Sequence, residues 1–187
     1  MKKDQILLII LLCVWGVLSR TVFHLGPNIE FITAISIVSG YIFTNKKIAL
    51  IIPIGIMFIS DMIIGNTNIF IFTWSGFLFP VLLGVLLYKY SNSKKGIKTS
   101  KLLILSEVSG ITSSIFFFVW TNFGHWITTN MYTKDLNGLI TCYINAIPFM
   151  KPQLAGNLII VPLFVLSIVF IQNYNISTKL NRIFNQK

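Results

Sequence analysis

Charge is scarce in this chain: of its 187 residues only 11% are Asp, Glu, Lys or Arg, and just 5 of these are acidic. So little polar surface cannot cover a water-soluble globule of this size, which excludes a soluble enzyme. A nucleic-acid-binding domain is excluded as well, because its basic residues would gather on one water-exposed face, and here they stand between apolar runs. Cysteine is nearly absent. Cys13 and Cys142 both lie in or beside apolar stretches, so neither a disulfide framework nor a four-ligand zinc site is supported. Leu11 and Leu12 precede Cys13 where a lipoprotein cleavage box would have small residues. The two histidines, His24 and His125, have no spacing that demands a metal, and neither a metal nor a cofactor is expected. A Gly-rich phosphate loop is also missing, so the chain is not expected to hydrolyse ATP. Met1-Lys2-Lys3 and the run from Ile6 to Leu18 resemble a secretory signal, but no small-residue cleavage site follows, which predicts a retained first span.

Hydrophobic residues are plentiful, at 55% of the chain with a mean hydropathy of +0.79. Lipid must solvate much of such a sequence, and the length suits one integral membrane domain over 1–187 with no separate soluble part. Apolar segments run over about 5–20, 31–43, 48–64, 69–88, 102–120 and 154–171. The second is short for a bilayer unless neighbours bury its ends. A further stretch, 136–150, is interrupted by Asn137, Asn145 and Pro148 and reads as a short interfacial helix. The predicted fold is all-α, a polytopic bundle of six transmembrane helices.

The formal charge of +10 sets the orientation. Lys and Arg beside short loops stay on the cytoplasmic side. With the N-terminus inside, twelve of the fifteen Lys and Arg residues fall there: Lys2, Lys3, Lys46, Lys47, Lys89, Lys94, Lys95, Lys98, Lys101, Lys179, Arg182 and Lys187. Arg20, Lys134 and Lys151 remain outside, and a seventh span would export the basic tail. Both termini are therefore expected in the cytoplasm, with the Ser- and Lys-rich stretch 91–100 joining two three-helix halves.

Charged side chains at membrane depth tend to face a partner or a wet cavity. Arg20 and Asp61 end outward-going helices at roughly 20 Å from the inner surface, by the helical rise per residue. They are expected to meet as a structural ion pair joining the first and third spans. Glu107, five residues beyond the basic loop, can snorkel to the interface.

The outward ends are rich in polar and aromatic groups: His24, Pro27, Asn28 and Glu30 after the first span, and Thr121, Asn122, His125, Trp126, Asn130 and Tyr132 after the fifth. Trp and Tyr there fit an interfacial belt. The added His, Asn and Thr around Gly124 suit a loop that hydrogen-bonds a ligand. Asn122, His125, Trp126, Tyr132, His24 and Asn28 are the candidate substrate-binding residues. Small residues recur every fourth position at Ser106, Gly110 and Ser114 and at Gly76, Pro80 and Gly84, the pattern of close helix contacts, with a partner in this chain or in another protein.

Several blocks carry a resemblance: Ser19-Arg20, His24, Pro27-Asn28, Ser60-Asp61, the run from Phe116 through Thr121-Asn122-Phe123-Gly124-His125-Trp126, Cys142-Tyr143, Ala146-Ile147-Pro148-Phe149 and Gly156-Asn157. On them the chain resembles an uncharacterised family of small bacterial membrane proteins that are similar to the S components of energy-coupling-factor (ECF) vitamin transporters. The resemblance implies six helices in the bacterial inner membrane, a vitamin-like small molecule held near the outer face, and an ECF transmembrane coupling subunit with its ATPases as partners. One departure is on the first helix, where Cys13, Gly16 and Ser19 replace the Ala-x-x-x-Ala docking patch of many S components. The expected function is capture of a small molecule for import driven by an ATP-hydrolysing partner, and not an enzyme. The alternatives are an intramembrane enzyme using His24 or His125 with Cys142, and a scaffold acting through its small-residue helix faces.

Overall fold

In hydrocarbon a backbone must satisfy its own N–H and C=O groups, and apolar runs of this length do so as helices. A computed structural model describes residues 3–23, 26, 28–65, 68–93 and 99–173, with side chains for 5–23, 26, 28–65, 68–91 and 99–168. The described residues form seven helices and no strand: α1 (Lys3–Thr21), α2 (Ile32–Ile42), α3 (Lys46–Ile64), α4 (Phe70–Gly76), α5 (Leu78–Ser93), α6 (Thr99–Thr128) and α7 (Leu136–Asn173). Among the described residues four stretches are long and apolar enough to cross a membrane: 46–64, 70–91 (α4 and α5 in succession), 99–128 and 136–168. The apolar parts of α1 and α2, 5–21 and 32–42, are shorter. Leu7, Leu11, Ile51, Met62, Ile63, Leu86 and Ile159 point outward from the bundle, as lipid-facing side chains do.

Two expected boundaries are different in the structure. The stretch 136–150 is not a separate interfacial helix. It continues through Pro148, Pro152 and Pro162 as the single helix α7. Each proline removes one backbone donor, a loss that helices packed in a membrane protein tolerate because neighbouring groups take up the freed carbonyls. Second, α6 does not end near Trp120. Its polar residues return hydrogen bonds to their own helix: Thr121 Oγ1 donates to the Phe117 carbonyl at 2.7 Å, Asn122 Nδ2 to Phe118 at 2.8 Å, and Thr128 Oγ1 to Gly124 at 2.7 Å. Side chains that would otherwise compete with the backbone thus sustain two further turns.

Helix α2 is the axis of the molecule. All its residues but Tyr41 are buried, and α1, α3, α5, α6 and α7 all touch it. Its closest neighbour is α5, where two glycines face each other's backbone. A Cβ on Gly40 would stand 2.1 Å from the Val81 carbonyl oxygen, and one on Gly84 would stand 2.0 Å from that of Ile37. The stripe on α6 also meets a helix of this chain: a Cβ on Gly110 would approach Val161 of α7 to 3.2 Å. Helices α1, α3 and α6 finish, and α2, α4 and α7 begin, at one end of the bundle. Lys46, over the Tyr88 ring at 5.3 Å, marks the opposite end.

Candidate ligand-binding site

Where these helix ends converge they leave a cavity of about 550 Å³. Its wall combines charge (Arg20, Glu30), amides (Asn28, Asn122, Asn145, Gln153, Asn157), His125 and Tyr132 with apolar surface from Met57, Phe77, Phe117, Phe118 and Phe149. A mostly apolar hollow with a few convergent polar groups is the usual form of a small-molecule site.

The charged floor is built by α1 and α3. Arg20 Nη1 lies 2.6 Å from Asp61 Oδ1 and also donates to Ser60 Oγ. Trp74 Nε1 of α4 donates to the other carboxylate oxygen, Asp61 Oδ2, at 2.7 Å. Asp61 is thereby held on both oxygens while 8% exposed. The guanidinium also faces outward into the cavity, with Nε 3.7 Å from Glu30 Oε1, too long for a hydrogen bond. Glu30 side-chain exposure is 34%, against 11% for Arg20.

The amides come from three places. Asn28, in the left-handed region at φ 59°, donates from Nδ2 to the Phe149 carbonyl at 3.3 Å and so ties the α1–α2 connection to α7. Asn145 Nδ2 donates to the Tyr132 hydroxyl at 3.4 Å, and Asn157 Nδ2 to Ser114 Oγ at 2.8 Å. Tyr132 stands edge-on to His125, with ring centroids 6.1 Å apart. Cys142, also in the wall, donates its thiol to the Asn122 carbonyl at 3.5 Å.

Of the residues singled out from sequence, Asn28, Asn122, His125 and Tyr132 line this cavity together with Arg20. His24 lies outside the described residues, as do Pro27, Lys94, Lys95, Lys98, Lys179, Arg182 and Lys187. Trp126 is not in the wall. It holds the α6–α7 turn, its Nε1 donating to the Thr133 carbonyl at 2.9 Å, its ring 5.8 Å from Lys134 Nζ. Lys134 Nζ in turn donates to the carbonyls of Trp126 and Thr129, a cation at the carbonyl-bearing end of α6. Asp135 then caps α7, its Oδ1 accepting from the Gly138 N–H at 2.8 Å and from Thr133 Oγ1 at 2.8 Å. Those two donors hold the Asp135 carboxyl below the usual aspartate range.

The chain belongs to a family of unknown function, DUF6580. The family model matches residues 1–179, nearly the whole sequence. No curated protein and no solved structure matches it. In this DUF6580 chain the wall also includes Asn145, Phe149, Gln153 and Asn157, none of them among the binding residues read from sequence, and Cys142, which the sequence assigned only to the alternative enzyme reading. On α7 the cavity is lined by residues 142, 145, 146, 149, 150, 153 and 157. That spacing is a helix face, and it becomes visible once 136–171 is read as one helix. Among the described residues no group of three or more His, Cys, Asp or Glu side chains is placed to hold a metal ion.

Proposed function

We propose that this protein is a membrane substrate-binding subunit that captures a vitamin-sized molecule at the outer face and hands it to an ATP-driven partner. The observation that carries this reading is the cavity of about 550 Å³, well within the range of small-molecule pockets, opening at one end of an apolar helical bundle. Its orientation follows from charge: Lys46, Lys47, Lys89 and Lys101 stand at the opposite end, and the positive-inside rule assigns that end to the cytoplasm. The bacterial inner membrane, two cytoplasmic termini, six crossings and an ECF-type coupling subunit rest on this rule and on the likeness to S components.

Two other readings have less support. Cys142 and His125 share the cavity, as an intramembrane cysteine enzyme would need, but the thiol donates to the Asn122 carbonyl and not to the imidazole. A scaffold acting through small-residue faces loses its main feature, because Gly40, Gly84 and Gly110 are packed against helices of the same chain.

The test is native mass spectrometry of gently solubilised protein, with thermal unfolding. Capture predicts a small molecule carried through purification, and a lower melting temperature once it is removed. His125→Ala and Asn122→Ala should lose the molecule while keeping the helical signal. A preparation that carries nothing, and that no extract of small metabolites stabilises, would overturn the reading. Labelling of single cysteines at 129–135 from the cytoplasmic side only would overturn the orientation.

A further inference from the structure

The deep end of the cavity holds two buried polar side chains whose hydrogen-bonding capacity the protein does not use up. The mouth is framed by Asn28, Met131, Asn145 and Phe149, all exposed, whereas Thr33 and Asn157 in the same wall are 4% and 3% exposed. These two stand at one depth on α2 and α7. Ile29 lies against Gly156, where an added Cβ would meet its Cγ2 at 2.9 Å, and Ala34 and Ile37 share a core cluster with Ile160 and Val161. Thr33 falls one turn after Ile29 and one turn before Ile37, and Asn157 falls between Gly156 and Ile160.

Helix α6 fixes which way the Asn157 amide points. Ser114 donates its hydroxyl proton to the Gly110 carbonyl at 3.0 Å, so toward Asn157 its oxygen can only accept, and Nδ2 donates to it at 2.8 Å. The nitrogen therefore faces α6 and Oδ1 is turned away from it. Among the described residues Oδ1 accepts no hydrogen bond, yet protein does not enclose it, so its open side is the cavity. The second Nδ2 hydrogen is left over as well. Thr33 departs from the habit of the other helical threonines. Thr21, Thr121 and Thr128 return their hydroxyls to the carbonyl one turn back. Among the described residues the Thr33 hydroxyl has no hydrogen-bond partner, and it too opens on the cavity. Met57 and Phe77, equally buried, supply apolar surface at this end.

We infer that the deep end of the cavity is a subsite for an uncharged amide-type group of the ligand, a carboxamide, lactam or ureido function, with its N–H on Asn157 Oδ1 and its C=O on the Thr33 hydroxyl. This rests on the capture reading and names the chemistry of the substrate's buried end. Such a group carries a donor and an acceptor side by side, the complement of what Asn157 and Thr33 leave unspent. A carboxylate brings acceptors only and leaves Oδ1 unanswered. An ammonium brings donors only and leaves the remaining amide N–H unanswered. Either mismatch buries an unsatisfied polar group, which weakens binding.

The experiment titrates three probes of nearly equal shape into the purified full chain, read by thermal unfolding: nicotinamide (donor and acceptor), 3-acetylpyridine (acceptors only) and nicotinate (anionic, acceptors only). Native mass spectrometry of the untreated protein in parallel identifies any molecule carried through purification. Nicotinamide should bind at least about fivefold more tightly than either other probe, as one neutral hydrogen bond provides, and a copurified molecule should contain an amide-type N–H and C=O pair. Thr33→Val keeps the shape and deletes a hydroxyl that the fold does not use. It should leave the melting temperature of the ligand-free protein unchanged or higher, and abolish the preference for nicotinamide. Asn157→Leu should abolish it too, with some loss of stability because the bond to Ser114 goes. Equal affinities, a preference for either other probe, a copurified molecule without the pair, or a Thr33→Val protein that keeps the full preference overturns the subsite and leaves capture standing. If no probe binds, the structure of the copurified molecule decides. Absence of both probe binding and a copurified molecule overturns capture, and this inference with it.

Discussion

Arg20 and Asp61 show what a single pair of residues can tell from sequence. Helical rise alone places them at similar depth, and in the structure they touch across 41 positions of chain. Their third partner, Trp74, could not be anticipated, because nothing in a sequence says which aromatic of α4 turns toward α3. Removing one member leaves an uncompensated buried charge, so Asp61→Ala should cost about 3–5 kcal/mol of unfolding free energy. The charge-swapped double variant, Arg20→Asp with Asp61→Arg, should regain part of what either single change loses, read from expression and thermal unfolding. The turn at 129–135 has its own signature in acid. The folded Asp135 carboxyl titrates below its unfolded value, so its contribution is present above about pH 4 and disappears as the pH falls through the lowered folded value. Melting temperatures of wild type and Asp135→Ala should therefore converge on acidification. Trp126→Phe keeps the ring and loses the bond to Thr133. It should lower the melting temperature slightly and leave ligand binding intact, which separates Trp126 from His125.

At the scale of elements, helices were easier to read than their ends. Apolar runs marked the helical stretches, though not the break between α4 and α5; Asn137, Asn145 and Pro148 suggested a break that α7 does not make, and the polar residues beyond Trp120 suggested a loop where α6 continues. In both places tertiary neighbours and back-bonded side chains outweigh local propensity. The same misreading hid the lining face of α7. Glycines give the sharpest element-level test. At Gly40 and Gly84 an added methyl meets backbone that cannot move aside, whereas at Gly55 it meets open space. Gly84→Ala should lower the melting temperature markedly by forcing α2 and α5 apart. Gly55→Ala, at a half-buried position with open space beside it, should be neutral or stabilising by up to about 1 kcal/mol.

For the whole molecule, composition revealed the membrane class and charge placement the two unlike ends. The hollow was not legible. Its wall draws on α1, α2, α3, α4, α6, α7 and their connections, and interhelical distances are not written in hydropathy. The polarity of the ends predicts that anionic lipid stabilises the protein through the lysine-bearing end. Melting temperature in nanodiscs should rise with phosphatidylglycerol content, and the gain should shrink when Lys46, Lys47, Lys89 and Lys101 are changed to Gln.

Helix α2 spans about 16 Å, roughly half the hydrocarbon thickness of a bilayer. The hollow lies at its N-terminal end, against Glu30 and Thr33. The room for a guest is thus the volume of the turns this helix does not possess. Splicing an extra turn ahead of Ile32 should plug the hollow while leaving the surrounding helices in register, converting a receptor into a solid bundle.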